Sequence, residues 1–407
     1  MKNLCPLPWV GFSNDPNGTV RACCIYKDQI RKPDGTPYFV QKDSVKEIFH
    51  SDYMKDLRNQ FINGERPKGC STCWKDEDNG YKSKRQIYQE ITEKFNSEFS
   101  YDRTPEYPED YQIILTNACN LKCRSCGTSH STSWQKEIKD VPQEIRELIN
   151  IDPYPLPHGQ AGGNSSKFFN DMDEWLPNVK RIEVVGGEPF YAPAWEKVWN
   201  EMISKGYSKD VTLHMSTNGT FYREELLLKL IKNFKNVGIG LSIDGMGETF
   251  EYLRKNATWE EVTKNIKKFY KIKMQYPDDV SFSYTHTTSW LNAYNLPEYF
   301  DWTKSNTPHF GKWVNIIHFP QHMSLYMLPV DIKDKIRNKW EKYDFGDYDG
   351  DIKALVNFMY SQQPTEEELI SHYKKFTVLD KFRGDDSVKI ITNIHPELSR
   401  YFTENGD

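Results

Sequence analysis

Beyond residue 110 the chain alternates between short apolar runs and longer stretches in which apolar residues recur at helical spacing. The apolar runs at 111–115, 181–185, 211–216, 237–243, 280–286 and 314–318 predict strands. Periodic segments near 129–149, 192–205, 222–234, 259–275 and 295–304 predict amphipathic helices between them. Strand–helix alternation of this kind predicts an α/β fold built on a parallel sheet. Ahead of it, residues 44–62 read as a helix, and the polar stretch 91–110, with Pro105 and Pro108, reads as a linker. Residues 150–178, rich in Pro and Gly, predict a loop over the strand ends, either a lid or a surface excursion. The tail predicts helices at 331–342, 351–361 and 366–383, the last packing over an open sheet edge.

Composition narrows the class. At 407 residues the chain exceeds one small module and has room for a large core plus a second unit. Aromatic residues make up 14%, so large rings supply much of the burial. Lys and Arg number 53 against 58 Asp and Glu, and this near balance argues against nucleic acid as a partner. No apolar run approaches the roughly 18 residues of a membrane span, and the first residues show no apolar export segment. A soluble, cytoplasmic protein is expected.

All eight cysteines lie in the first third of the chain. Three are packed together in Cys119-Asn-Leu-Lys-Cys123-Arg-Ser-Cys126. Disulfide pairing would strand one of them, whereas a soft metal centre uses all three thiolates. A structural zinc site wants four closed ligands. A four-iron cluster held by three thiolates instead leaves one iron open to an outside ligand. In this spacing, and following Tyr111-Gln-Ile-Ile-Leu115, the three cysteines resemble the cluster loop of the radical S-adenosylmethionine (SAM) superfamily. The resemblance implies a [4Fe-4S] cluster whose open iron is chelated by the amino and carboxylate groups of SAM. A zinc knuckle is the alternative for the triplet alone.

Other motifs follow in the superfamily's order. The run ending at Val185 leads into Gly186-Gly187-Glu188-Pro189. Two glycines allow close backbone approach, and a carboxylate beside them can accept from an ammonium. The segment resembles the family's Gly-Gly-Glu-Pro motif, which holds the amino group of SAM. The next strand ends at Thr217-Asn218-Gly219, and the one after it at Ser242, with Arg254 twelve residues on. The resemblance assigns Asn218, Ser242 and Arg254 to SAM, and a guanidinium fork suits its carboxylate. The residue before the third cysteine, often aromatic and set against the adenine in this family, is here Ser125. Stacking must then come from another part of the chain.

Five cysteines remain: Cys5, Cys23, Cys24, Cys70 and Cys73. Four closed ligands and one spare account for them, with Cys23 preferred over its neighbour Cys24. The region resembles the twitch domain, a shortened relative of the SPASM auxiliary-cluster domain. That implies a second iron–sulfur cluster, [4Fe-4S] in type, while a structural zinc site suits the same residues. The division expected is a twitch-like module at 1–90, a linker at 91–110, a partial (β/α)6 barrel at 111–320 and a mostly helical extension at 321–407. The function implied is reductive cleavage of SAM and hydrogen abstraction from a peptide, protein or small-molecule substrate, with a flavodoxin- or ferredoxin-type reductant. His286 and Asp244 are candidate catalytic residues at strand ends, where His318 and His322 also fall. A non-catalytic iron–sulfur electron carrier and a zinc-stabilised binding module are the competing readings.

Overall fold

The computed structural model describes residues 3–149, 166–318 and 320–401. Its strands are β1 (Gly11–Asn14), β2 (Val20–Arg21), β3 (Asp110–Ile113), β4 (Arg181–Val184), β5 (Thr212–Thr217), β6 (Asn236–Ser242), β7 (Val280–Thr288) and β8 (Gly311–Ile316). The apolar runs become strands because alternate residues have a helix layer to bury against. Ile182 and Val184 of β4, Leu213 and Met215 of β5, and Val237, Ile239 and Leu241 of β6 are all buried there. Each such side chain is worth about 1.5–3 kcal/mol relative to exposure. The opposite face carries Glu183, His214, Ser216 and Ser242, with Gly238 and Gly240 between the rings and hydroxyls. A Cβ on Gly238 would lie 2.8 Å from the His214 ring, so the inner face admits only hydrogen there.

The sheet runs β2-β1-β3-β4-β5-β6-β7-β8. β3 to β8 are the expected parallel series, open between its ends. This is a mixed α/β architecture with a partial-barrel core. Two strands are additional. β1 pairs parallel with β3, and β2 turns back antiparallel on β1, so the cysteine-bearing N-terminal segment is stitched into the sheet edge. Runs this short leave too few positions to show alternation in the sequence. At the other edge, Tyr81 Oη donates to Val314 O at 2.6 Å and Tyr348 Oη accepts from Lys312 N at 3.2 Å. Tyrosine hydroxyls thereby satisfy two of the main-chain groups on β8.

Helix boundaries differ from the expectation where caps or prolines intervene. The segment 44–62 is two helices, Val45–Phe49 and Asp52–Ile62, because Ser51 caps the second through Met54 N. The segment 129–149 divides into Thr132–Glu137 and Gln143–Leu148, with Pro142 starting the latter. Helix Lys84–Phe95 runs into the stretch read as a linker. Residues 150–165 of the expected lid lie outside the described residues. The rest of that insertion is short helices, Ser166–Asn170 and Met172–Trp175, and Trp175 stacks on Tyr111 at 4.7 Å beneath β3.

The C-terminal helix Glu366–Arg383 departs most from expectation. A capping box from Thr365 and Glu368 starts it, and Gly384 with positive φ ends it. It lies against the 119–126 loop, not along an open sheet edge, because its Asp380, with Asp385 just beyond its end, meets Arg124 of that loop. No helix among the described residues is long and apolar enough to cross a membrane.

Candidate functional site

The loop carrying Cys119, Cys123 and Cys126 leaves the C-terminal end of β3 and is pinned on three sides. Cys119 N donates to Thr132 Oγ1 at 3.2 Å, and Trp134 Nε1 donates to Cys123 O at 2.8 Å. On the second side, Lys122 N and Arg124 N donate to Lys255 O and Leu253 O, next to helix Gly247–Leu253. The third side is ionic. The Arg124 guanidinium lies 3.6 Å over the Tyr252 ring and pairs with Asp380, and with Asp385 at 3.0 Å. Glu137 accepts from Lys122 and from Arg383, the latter at 2.6 Å.

The three thiols open onto one cavity of about 790 Å³ at the C-terminal ends of the strands. Of the residues singled out for a cofactor, Ser125, Gly186, Gly187, Asn218, Ser242 and Arg254 line it too. Gly186 and Gly187 have φ of +81° and +60°, and a Cβ on Gly187 would fall 2.6 Å from Ala118 O. Bare backbone is required for the two loops to close on each other. Asn218 donates through Nδ2 to Asn120 Oδ1 at 3.0 Å. Arg254 pairs with Asp244 at 2.7 Å, lies 3.9 Å from Cys123 Sγ, and among the described residues keeps a buried Nε without a partner.

Glu188 and Pro189 are buried behind this wall. The Glu188 carboxylate accepts from Thr217 Oγ1 at 2.7 Å, Phe190 N at 3.1 Å and Asn218 N at 2.7 Å. Those donors tie β4 to the end of β5. Burial nevertheless pushes its pKa up to about 7 against them. Asp244 likewise faces inward onto protein, accepting from Thr287 N at 2.9 Å while it holds Arg254. His286 points to the helix side of the sheet and lines a separate cavity of about 260 Å³ with Tyr299. Burial lowers its pKa to about 4, so it is neutral. Of the other strand-end histidines, His322 lines the large cavity and His318 stands 3.6 Å from Asp76.

Sequence reasoning missed another part of the lining. Lys375, Phe376 and Leu379 of helix Glu366–Arg383 line the cavity as well, and Leu379 packs with Trp134 against Cys126. Nothing local to the motifs points to residues so distant in the chain. The helix's own stripe of Lys375, Phe376 and Leu379 at helical spacing was the available signal.

The thiols fit a soft metal group. Burial, with mutual repulsion of the would-be thiolates, raises the pKa of Cys119 and pushes Cys126 up to about 12. Burial also raises Cys123, against the pull of Arg254. Such thiols stay protonated unless a cationic centre displaces the protons. Among the described residues no three metal-ligating side chains gather on a single ion. The cysteines instead ring a space large enough for a cluster and a nucleotide-sized ligand.

Near the N-terminus, Cys5, Cys23, Cys70 and Cys73 line a second, narrow cavity of about 20 Å³ with Tyr26, Phe61 and Arg85. Burial raises all four thiol pKa values, Cys23 to about 12; neighbouring thiols add to it at Cys5, Cys23 and Cys70, and Asp76 and Glu77 add to it at Cys73. Cys24 turns outward and is exposed, its Sγ 2.9 Å from Lys84 Nζ. Four facing thiols are a complete donor set for a closed soft-metal site, though the gap must widen to admit a multi-metal cluster.

Comparison with known proteins adds two family matches. Residues 169–285 match the radical SAM superfamily, a span that holds the 186–189 motif, Asn218, Ser242 and Arg254 and begins after the cysteine loop. Residues 5–74 match SPASM, an iron–sulfur cluster-binding domain, a span bracketing the four facing thiols. The sporulation killing factor maturation protein SkfB of Bacillus subtilis (strain 168) is 26% identical over 162 residues, 40% of this chain. The chain spans about a third of that relative's length, 32%. Among solved structures, native anSMEcpe with bound AdoMet aligns at 18% identity and a TM-score of 0.37, over 58% of this chain and 61% of that one. Streptococcus suis SuiB bound to S-adenosylmethionine aligns at 10% identity and a TM-score of 0.28, over 77% and 75%.

Proposed function

From a chain that carries a radical SAM superfamily domain and an iron–sulfur cluster-binding SPASM domain, we propose an enzyme that cleaves SAM reductively and oxidises or rearranges a peptide or protein substrate. One observation carries the reading. Three thiols on one short loop share a cavity with Gly186, Gly187, Asn218, Ser242 and Arg254, at the C-terminal ends of parallel strands.

In this reading Cys119, Cys123 and Cys126 hold a [4Fe-4S] cluster and leave one iron for SAM. When bound, the reduced cluster would supply one electron and SAM the 5′-deoxyadenosyl group, with methionine as the leaving group, which is chemistry for taking hydrogen from an unactivated C–H bond. The chain's own residues bind, orient and exclude. Gly186 and Gly187 give backbone access to the amino-acid end of SAM. Asp244 fixes Arg254, which lines the same cavity and offers its guanidinium to the carboxylate of SAM. Glu188 holds Asn218 and the end of β5 in place through its three internal donors. Phe376 and Leu379 roof the cavity and keep water from the reacting centre.

Cys5, Cys23, Cys70 and Cys73 hold an auxiliary iron–sulfur cluster that takes up or relays an electron, with Cys24 outside the set. A peptide substrate is supported by the maturation role in the name of the SkfB relative, and a flavodoxin- or ferredoxin-type protein serves as reductant.

The test is anaerobic reconstitution with iron and sulfide, then dithionite and SAM. 5′-Deoxyadenosine is the expected product, and Cys123→Ala abolishes it. Protein with its full iron that makes none would overturn the reading. Iron and sulfide counts on a Cys119/Cys123/Cys126 triple alanine variant decide the second site. Retained sulfide supports a cluster, and zinc without sulfide supports a structural site.

A further inference from the structure

A second cavity, of about 530 Å³, adjoins the cysteine-lined one and shares Ile149, Pro320, His322 and Lys375 with it. The C-terminal helix forms its floor. Glu368, Ser371, His372 and Lys375 recur at spacings of three and four, so they form one stripe along that helix. The stripe leads from an acidic outer end, where Glu367 adds a second carboxylate, to Lys375 at the neck, and then to Phe376 and Leu379 inside.

Two features of this stripe lack partners. Lys375 is half-buried, and among the described residues its ammonium has no hydrogen bond or ion pair. His372 is 2% exposed, and among the described residues both of its ring nitrogens, themselves closed off from the cleft, are unpartnered. A buried polar group left unmet is costly, and a neutral imidazole offers one donor and one acceptor. Burial, with Lys375 and His322 nearby, holds His372 neutral. From Glu368 to Lys375 the helix rises about 10 Å, the reach of about three extended residues.

We propose that this cleft is the substrate's binding site, and that it receives a peptide segment in extended form. A carboxylate of that segment pairs with Lys375 at the neck, and a basic side chain two or three residues away meets Glu367 and Glu368. His372 lies beneath the segment, its ring packed on Trp290 and Phe376. The proposal rests on the radical SAM reading and adds to it the charge pattern of the substrate.

The test uses full-length, anaerobically reconstituted protein with SAM present. An mRNA-displayed library of random heptapeptides, C-terminally blocked, is selected on it. Enriched sequences are expected to carry Asp or Glu with Lys or Arg two or three positions away. Lys375→Glu should remove the acidic preference at least tenfold, and Lys375→Met, closer in volume, should weaken it without inverting it. Both variants are first checked for wild-type iron content and circular dichroism. One enriched peptide with its acidic residue replaced by the corresponding amide, synthesised as free acid and as C-terminal amide, reports whether a terminal carboxylate serves equally.

Enrichment without an acidic residue, no enrichment at all, or a preference unchanged in both variants overturns the proposal. So does a loss of SAM affinity in Lys375→Met with peptide selection intact, which would give the lysine to SAM. Wild-type protein assayed alongside for 5′-deoxyadenosine separates the two failures. Product formed without the predicted selection sinks this inference alone, and no product sinks the underlying reading.

Discussion

Replacing Asp380 by asparagine tests whether the C-terminal helix holds the cysteine loop in place. Asp380 and Arg124 are both 2% exposed at the side chain, and Asp380 also accepts from Tyr252 Oη at 2.8 Å. Removing one partner of a buried pair costs about 3–5 kcal/mol, because the other charge stays buried. Here Asp385 remains 3.0 Å from the guanidinium and Tyr252 O still accepts from Arg124 Nε. These push the expected loss to the low end, about 3 kcal/mol. With an unfolding entropy of about 2 cal/mol/K per residue over a chain of this length, that is a fall in Tm of about 3–4 °C. The assay is thermal unfolding of metal-free protein, followed by iron counting after reconstitution. Iron should fall at the Cys119/Cys123/Cys126 site while the N-terminal site keeps its metal. In a double-mutant cycle, Arg124→Met with Asp380→Leu should recover most of the stability, since no charge is then stranded. An Asp380→Asn protein with unchanged Tm and full iron would refute the reasoning.

Gly187→Ala should cost about 1–3 kcal/mol for a left-handed residue, with added strain from Ala118 O at 2.6 Å. It is expected to lower both Tm and SAM affinity, read by unfolding and by equilibrium dialysis, and wild-type values in both would contradict it. Acidification should destabilise the metal-free protein. Burial lowers His286, His322 and His395 from 6.5 to about 4, so the unfolded chain takes up protons that the folded one refuses. This part of the stability, present above pH 6.5, is lost as pH falls toward 4, while Glu188, raised to about 7, works in the opposite direction; the check is the difference between wild type and His286→Gln, and identical Tm–pH profiles would refute the assignment.

The parallel series was legible because each strand buries one face, so its apolar run stands out against the helices beside it. The residues that line the cavity were legible as well: clustered cysteines, two glycines after a strand, Ser242 at a strand end and Arg254 at the close of the helix that follows. The side on which His286 falls was also readable, since Phe282, Tyr284 and His286 share one parity in β7 and the first two could only face the helices. Read as a strand-end residue alone, His286 looked close to the cavity; alternation puts it behind the sheet.

What remained hidden lies in contacts between distant segments. The four residues of β1 carry no pattern of their own and become a strand only because β3 offers a free edge. Cys23 and Cys24 are chemically identical, and only the backbone turn directs one inward and the other toward Lys84. The helix 366–383 shows its length and caps locally, but its place over the cysteine loop depends on Asp380 and Arg383 meeting Arg124 and Glu137, more than two hundred residues away. Sequence by itself determined which thiols, glycines and strands this protein has to offer a cavity, because residue type and strand periodicity act locally. Tertiary structure decided which walls face that chemistry, because long-range ion pairing and burial have no local period to betray them.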